Sequence, residues 1–348
     1  MKLRLWFKIF LLVLFILGIS SIIYFGFFNK KDINSIKNND KEYVTLDNIK
    51  DSDYYDEKYI DEYKKIKYID NDDFLKNISI LLKKEYNAKE INNIMTMSDL
   101  QIEKILNNDY ININKYYSIK NFDVEKYDRY EKYDKDNKLD IKDVVTYVNI
   151  NLDLKPYEET KEITDADNLL ALVNKYYGLP TSYKPSDLEY VDGFYGNKVP
   201  MRKIAKENFL ELQKDALKNG ISLMPTTAYR DASFQKTLYN NYVAKDGVEA
   251  ADTYSARPGF SDHQTGLAID LKDSNIKTDI RLSDEDYEWL KNNCSKYGFI
   301  IRYPKDKENI TLYQFENWHI RYVGDDAKTI MDNNLTLEEY IDLYITKY

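Results

Sequence analysis

The chain has 348 residues, a formal net charge of −9 and a pI near 5.1. That acidic balance argues against a nucleic-acid function and against long-range attraction to an anionic wall polymer. Cys294 is the single cysteine, so no internal disulfide forms and an exported chain must be held by core burial instead.

Residues 9–28 carry no charge and are almost wholly apolar, about the ~20 residues that cross a bilayer as a helix. Lys2, Arg4 and Lys8 precede them, which favours an N-terminus inside the cell. No small-x-small cleavage site follows the run, so the expectation is an uncleaved transmembrane signal anchor over residues 1–29. Residues 30–71 are highly charged, lack sustained hydrophobic periodicity and read as a stalk, with a short strand around Tyr43-Val44-Thr45-Leu46. Residues 72–165 read as a mainly helical spacer. Phe74, Ile78, Ile80, Leu81 and Leu82 form one apolar stripe, and Ile91, Ile94 and Met95 start another. Ser98 and Gln101 fit a capping box for a helix carrying Ile102, Ile105 and Leu106. Val144-Val145-Thr146-Tyr147-Val148-Asn149-Ile150 reads as a strand.

Residues 166–348 read as one domain. A helix over 202–218 places Ala205, Phe209, Leu212 and Ala216 on one face and stops at Gly220. An apolar strand over 221–225 leads to Arg230 and to a helix opened by Asp231. Leu267-Ala268-Ile269-Asp270-Leu271 is a short strand entered through Gly266. Ser283 and Asp286 cap a helix in which Cys294 is buried and inert, and Gly298 ends it. Strands follow over 299–303 and 320–323, and Thr336 with Glu339 caps a final helix. Helices gathered on a small antiparallel sheet, behind a transmembrane helix and a helical spacer, make the expected fold class α+β.

The chain's two histidines, His263 and His319, each sit in a compact polar cluster: Ser261-Asp262-His263-Gln264-Thr265-Gly266 with Asp270, and Glu316-Asn317-Trp318-His319. Two unrelated histidines would be the plain alternative, but each brings its own acidic residue at short spacing. Two imidazoles and a carboxylate, with a second carboxylate close by, form the kit of a catalytic zinc site with an open position. On this reading His263, Asp270 and His319 ligate one Zn2+ per chain, and Glu316 stays off the metal and takes a proton from the bound water. Glu316 and His319 would point oppositely in a regular strand, so a bend near Trp318 is expected. Arg230, between an apolar strand and a helix, suits a bidentate grip on a terminal carboxylate.

Further blocks stand in order along the chain: Leu172-Val173-Asn174-Lys175, Leu179-Pro180, Tyr183-Lys184-Pro185, Ala228-Tyr229-Arg230 with Gln235, and Tyr254-Ser255-Ala256-Arg257-Pro258-Gly259. With the two histidine clusters they resemble the VanY-like D-alanyl-D-alanine carboxypeptidases, zinc D,D- and L,D-carboxypeptidases of peptidoglycan, over roughly residues 168–325. Asp231 replaces the usual serine, and Asp262 stands at a commonly Glu position. The resemblance implies zinc on His263, Asp270 and His319, and Glu316 as general base and acid. It also implies that Arg230 polarises the scissile carbonyl or holds the substrate carboxylate, and that Gln235, Ser261 and Trp318 line the pocket. The partner is then a peptidoglycan stem peptide, and the location the cell membrane, single-pass, with the catalytic domain extracytoplasmic. The same zinc chemistry also serves an L,D-carboxypeptidase, a D,D-dipeptidase or an endopeptidase, and a non-catalytic wall-binding protein is the alternative of another class.

Overall fold

The computed structural model describes residues 43–345, apart from 109, 111, 279 and 280. The chain divides into two compact units between Tyr117 and Ser118. In the first unit lie α1 (Phe74–Lys83), α2 (Ala88–Ile94) and α3 (Asp99–Asn107). Phe74, Ile78, Leu81 and Leu82 are buried from α1, Ile91 and Ile94 from α2, and Ile102 and Ile105 from α3. Asn87 with Glu90 and Ser98 with Gln101 close capping boxes on α2 and α3. Residues 43–71 are folded into this unit. Tyr43 bridges Lys67, and Ile49, Tyr63 and Ile66 are buried in a segment whose charge density suggested a stalk.

The second unit opens with α4 (Tyr127–Asn137) and α5 (Ile141–Asn149). The expected strand over 144–150 is thus a helix. Asp140 caps its N-terminus by accepting from Lys142 N, and Val144, Val145 and Val148 bury one helical face at i, i+1 and i+4. Tertiary burial of that face outweighs the strand preference of β-branched side chains. Residues 118–165, read from sequence as part of the spacer, lie in this unit. Two small pairings follow that the sequence did not suggest. β1 (Lys161–Glu162) runs parallel to β2 (Tyr177–Gly178), and β3 (Leu188–Asp192) pairs antiparallel with β4 (Lys198–Arg202).

The central sheet holds β5 (Leu223–Thr227), β6 (Ala268–Asp273), β7 (Phe299–Ile301) and β8 (His319–Tyr322) in the order β5-β6-β8-β7, antiparallel throughout. Strand alternation splits its residues between two faces. Leu223, Ile269, Leu271, Phe299, Ile301, Ile320 and Tyr322 join one core with Ala205, Phe209, Leu212 and Ala216 of α6 (Lys203–Lys218). The alternate residues Asp270, His319 and Arg321 are directed away from that core. Ile300 of β7 belongs to a second cluster with Ala327 and Ile330 of α9 (Asp326–Asp332) and Leu337 and Tyr340 of α10 (Leu337–Tyr340). α7 (Ala232–Asp246) and α8 (Asp284–Asn293) complete the named helices.

The architecture is therefore a mixed α/β fold with small sheets, one of them a parallel pair, and the expected fold class needs correction in its membrane part. Among the described residues no helix is long and apolar enough to cross a membrane. Several of their helices are amphipathic, α1 and α5 most clearly. Even α6 is interrupted by lysine and glutamate on its outer face. The run from Ile9 to Phe28, on which the transmembrane helix was expected, lies outside the described residues.

Candidate active site

Ser261 precedes a tight turn over Asp262–Thr265, which Gly266 closes at φ +69 before the chain enters β6. A side chain there would be strained, and its Cβ would come within 3.0–3.3 Å of Arg202, Leu188 and Pro185. The turn lays His263 beside the end of β5, where its Nδ1 lies 2.7 Å from the Ala228 carbonyl. That carbonyl can only accept, so Nδ1 carries the proton and Nε2 keeps its lone pair. Asp270 of β6 is the register partner of His319 of β8, which puts both side chains on one face. Glu316 reaches the same point because the chain turns between it and His319, with His319 N donating to the Glu316 carbonyl at 3.4 Å. The expected bend near Trp318 is this turn.

The four groups converge. His263 Nε2 lies 3.4 Å from Asp270 Oδ2, His319 Nδ1 lies 3.1 Å from Asp270 Oδ1, and Glu316 Oε2 is 3.3 Å from His319 Nδ1. One ligand atom from each of His263, Asp270 and His319 falls within a 4.8 Å span, and all three residues are buried. Two ligand atoms about 2.1 Å from a tetrahedral zinc stand about 3.4 Å apart, so the spacing fits. Asp270 Oδ1 is buried with no hydrogen-bond partner, an atom that a cation would satisfy.

The electrostatics agree. Burial, with Arg230 adding to it, lowers the His263 pKa to about 4, so the ring is neutral near pH 7. Burial alone would raise Asp270, but the two histidines outweigh it and hold the carboxyl well below its ordinary value. Burial also opposes charge on His319, yet the Asp262, Asp270 and Glu316 carboxylates around the ring hold its pKa well above the usual range. Two carboxylates, Asp270 and Glu316, thus meet at the Nδ1 side of His319, where a divalent cation is the natural occupant.

This cluster lines a cavity of about 610 Å³. Arg230 lines it too, with Nη2 4.0 Å from Asp270 Oδ2, and burial lowers the pKa of its guanidinium. Asp231, the departure from serine, caps α7 by accepting from Phe234 N at 2.7 Å, so it performs the helix-opening role a serine would. Gln235, Ser261 and Trp318 all line the cavity. Gln235 has a different polarity from that of a carboxylate reader, however. Its Nε2 donates to the Ala256 carbonyl at 2.7 Å and to Ser255 Oγ at 3.3 Å, which leaves the acceptor Oε1 as its buried, unpaired atom. Arg281 and Tyr303 also line the cavity and escaped sequence reasoning. The Arg281 guanidinium stacks over Trp318 at 4.9 Å and donates to Thr226 Oγ1 at 2.9 Å, and the Tyr303 ring lies 4.9 Å from that of His319. Neither has a signal in the chain, because each reaches the site only through strand pairing and loop packing.

A buried His-Asp-His set with a free carboxylate beside it, on a small antiparallel sheet, defines a metallopeptidase of the zinc carboxypeptidase class. The profile of the VanY family, described as D-alanyl-D-alanine carboxypeptidase, matches residues 198–325. YodJ of Bacillus subtilis (strain 168) is 43% identical over 199 residues, covering 55% of this chain and 73% of that protein. A D-alanyl-D-alanine carboxypeptidase of Enterococcus faecium is 35% identical over 194 residues, 53% of this chain and 60% of that one. Among solved structures, the LdcB LD-carboxypeptidase is 41% identical with a TM-score of 0.50, covering 55% of this chain and 93% of that one. The chain belongs to the VanY family of D-alanyl-D-alanine carboxypeptidases.

Proposed function

We propose that the protein is a zinc carboxypeptidase that removes the C-terminal D-alanine from peptidoglycan stem peptides. The observation that carries this reading is the convergence of His263, Asp270, His319 and Glu316 in a cavity that Arg230 also lines. His263 through Nε2, Asp270 through its carboxylate and His319 through Nδ1 would hold the ion. When bound, zinc supplies Lewis-acid activation of a water and of the scissile carbonyl. Glu316, within reach of the same point but not needed as a ligand, accepts the proton of the attacking water and returns it to the departing amine. Arg230 pairs bidentately with the terminal carboxylate, and its burial strengthens that pairing. Gln235 Oε1 is placed to accept from a substrate N–H. A relative at 35% identity that bears the name D-alanyl-D-alanine carboxypeptidase supports the same activity.

Likeness to the LdcB LD-carboxypeptidase favours a second reading in which the same chemistry acts on the L,D-bond of a tetrapeptide stem. Defined penta- and tetrapeptides separate the two by which one loses an alanine. The purified protein is expected to bind about one zinc per chain, and His319→Ala to lose metal and hydrolysis together. A His319→Ala protein that kept zinc at full occupancy and cleaved peptide normally would overturn the ligand set. A peptidoglycan substrate supports an extracytoplasmic location for the domain over residues 166–348. Protease added to intact cells should digest it, and complete shelter from protease would contradict that location.

A further inference from the structure

On the other ring nitrogen of His319 begins a line of buried charge that the chemistry above leaves unused. Nε2 of His319 faces Asp262 Oδ2 at 3.5 Å, and neither atom has a hydrogen-bond partner closer than this. The Asp262 carboxylate is gripped from behind by Arg321 Nη1, while Arg302 Nε lies 3.8 Å from its Oδ2. Arg302 in turn donates to both oxygens of Glu338 in α10, at 3.0 and 2.8 Å. Asn174 Nδ2 adds a bond to Glu338 at 3.3 Å. Asp262, Arg302, Arg321 and Glu338 are each exposed by 2% or less. Glu338 also lies beyond residue 325, where the family match ends.

Buried ion pairs of this kind contribute little net stability, because desolvation cancels most of their attraction. Two arginines and two carboxylates buried together therefore point to geometry as their role. A metal-ligating imidazole needs its second nitrogen protonated and held, and a carboxylate behind it does both. We propose that Asp262 and Glu338 are positioning residues of the metal site. Glu338 clamps Arg302, and Arg302 with Arg321 holds the Asp262 carboxylate where it takes the Nε2–H of His319. His319 is thereby kept in the tautomer and rotation that presents Nδ1 beside Asp270 and Glu316. The C-terminal helix α10 is on this account part of the metal site, although none of its side chains lines the cavity.

The inference rests on the zinc reading, and the test keeps the two apart. Full-length protein, Asp262→Asn and Glu338→Gln are each titrated with zinc against a chromophoric chelator, and the visible spectrum of the cobalt-substituted proteins is recorded. Asp262→Asn should weaken zinc roughly 10–100-fold, and Glu338→Gln by about 10-fold, the low end of the range for such partners. Both should change the cobalt spectrum, which a loss of stability alone leaves untouched. Wild-type protein that binds no zinc would refute the metal reading itself. Wild-type zinc affinity and cobalt spectrum in the folded variants would overturn the positioning role. Should Glu338→Gln not fold, the paired replacement Arg302→Met with Glu338→Leu removes both charges at similar volume and keeps the interior packed. Wild-type affinity in that protein overturns the proposal equally.

Discussion

Glu316 and His319 are three residues apart, and the division of labour between them is decided by which atoms they turn to the same point. Nδ1 of His319 faces Asp270, while Glu316 Oε2 stops 3.3 Å short of that nitrogen and remains free to move a proton. Glu316→Gln should therefore keep zinc and fold yet lose roughly 10²–10⁴-fold in kcat, the typical worth of a placed general base. Metal analysis beside single-turnover kinetics checks this; loss of zinc would reassign Glu316 as a ligand, and unchanged kcat would remove it from the chemistry. At this scale the sequence was most legible. Both histidines carry acidic neighbours at short spacing, and Arg230 stands at a strand end, so local pattern alone located the cluster. Residues that reach the site through the third dimension were not legible. Arg281 arrives by stacking on Trp318, and the charge behind Asp262 comes from Arg302 and Glu338, 40 and 76 positions further along the chain. Gln235 was legible in place but not in polarity, because which end of an amide is free depends on Ala256 and Ser255 across a loop.

Among elements, the C-terminal segment carries more than its length suggests. Thr336 and Glu339 close the capping box expected there, and the turn that follows α10 buries Asp342 beside Asn121 and Asn149. Burial pushes the Asp342 carboxyl up to about 6, above its ordinary 3.8, and the hydrogen bonds only partly offset it. The folded state then holds this proton more tightly than the unfolded chain. Its contribution is fully present below about pH 3.8 and is lost as pH rises through about 6. Asp342→Asn, which never ionises, should raise the unfolding free energy by on the order of 2 kcal/mol at pH 8 and far less at pH 4. Denaturant midpoints at the two pH values test it, and an equal shift at both would show that ionisation is not the cause. α5 illustrates where element reading fails. A run of valines and a tyrosine has strand propensity, but Asp140 as N-cap and burial at i, i+1 and i+4 make it a helix. α6 was read correctly because its period and its stop at Gly220 agree with the packing of Phe209 and Leu212.

For the whole molecule, the site exists because one sheet has two differently used faces. Ile269, Leu271, Ile320 and Tyr322 are committed to the core with α6, so Asp270 and His319, one position out of phase, are forced together on the opposite face. A one-residue slip between β6 and β8 would bury the ligands in that core and destroy the site. The alternation of β6 was readable in the sequence. The sheet order β5-β6-β8-β7 was not, because it depends on pairings between strands far apart in the chain, which no local period encodes. We propose that this face is a zinc carboxypeptidase site in which Arg230 reads a free C-terminal carboxylate. The most direct test is mass spectrometry of two stem pentapeptides ending in D-Ala-D-Ala, one with a free C-terminus and one amidated, after incubation with the zinc-loaded protein. Release of a single D-alanine from the free acid, with the amide essentially uncleaved because it leaves a buried guanidinium unpaired, is the predicted result. Comparable kcat/KM for the acid and the amide would contradict it.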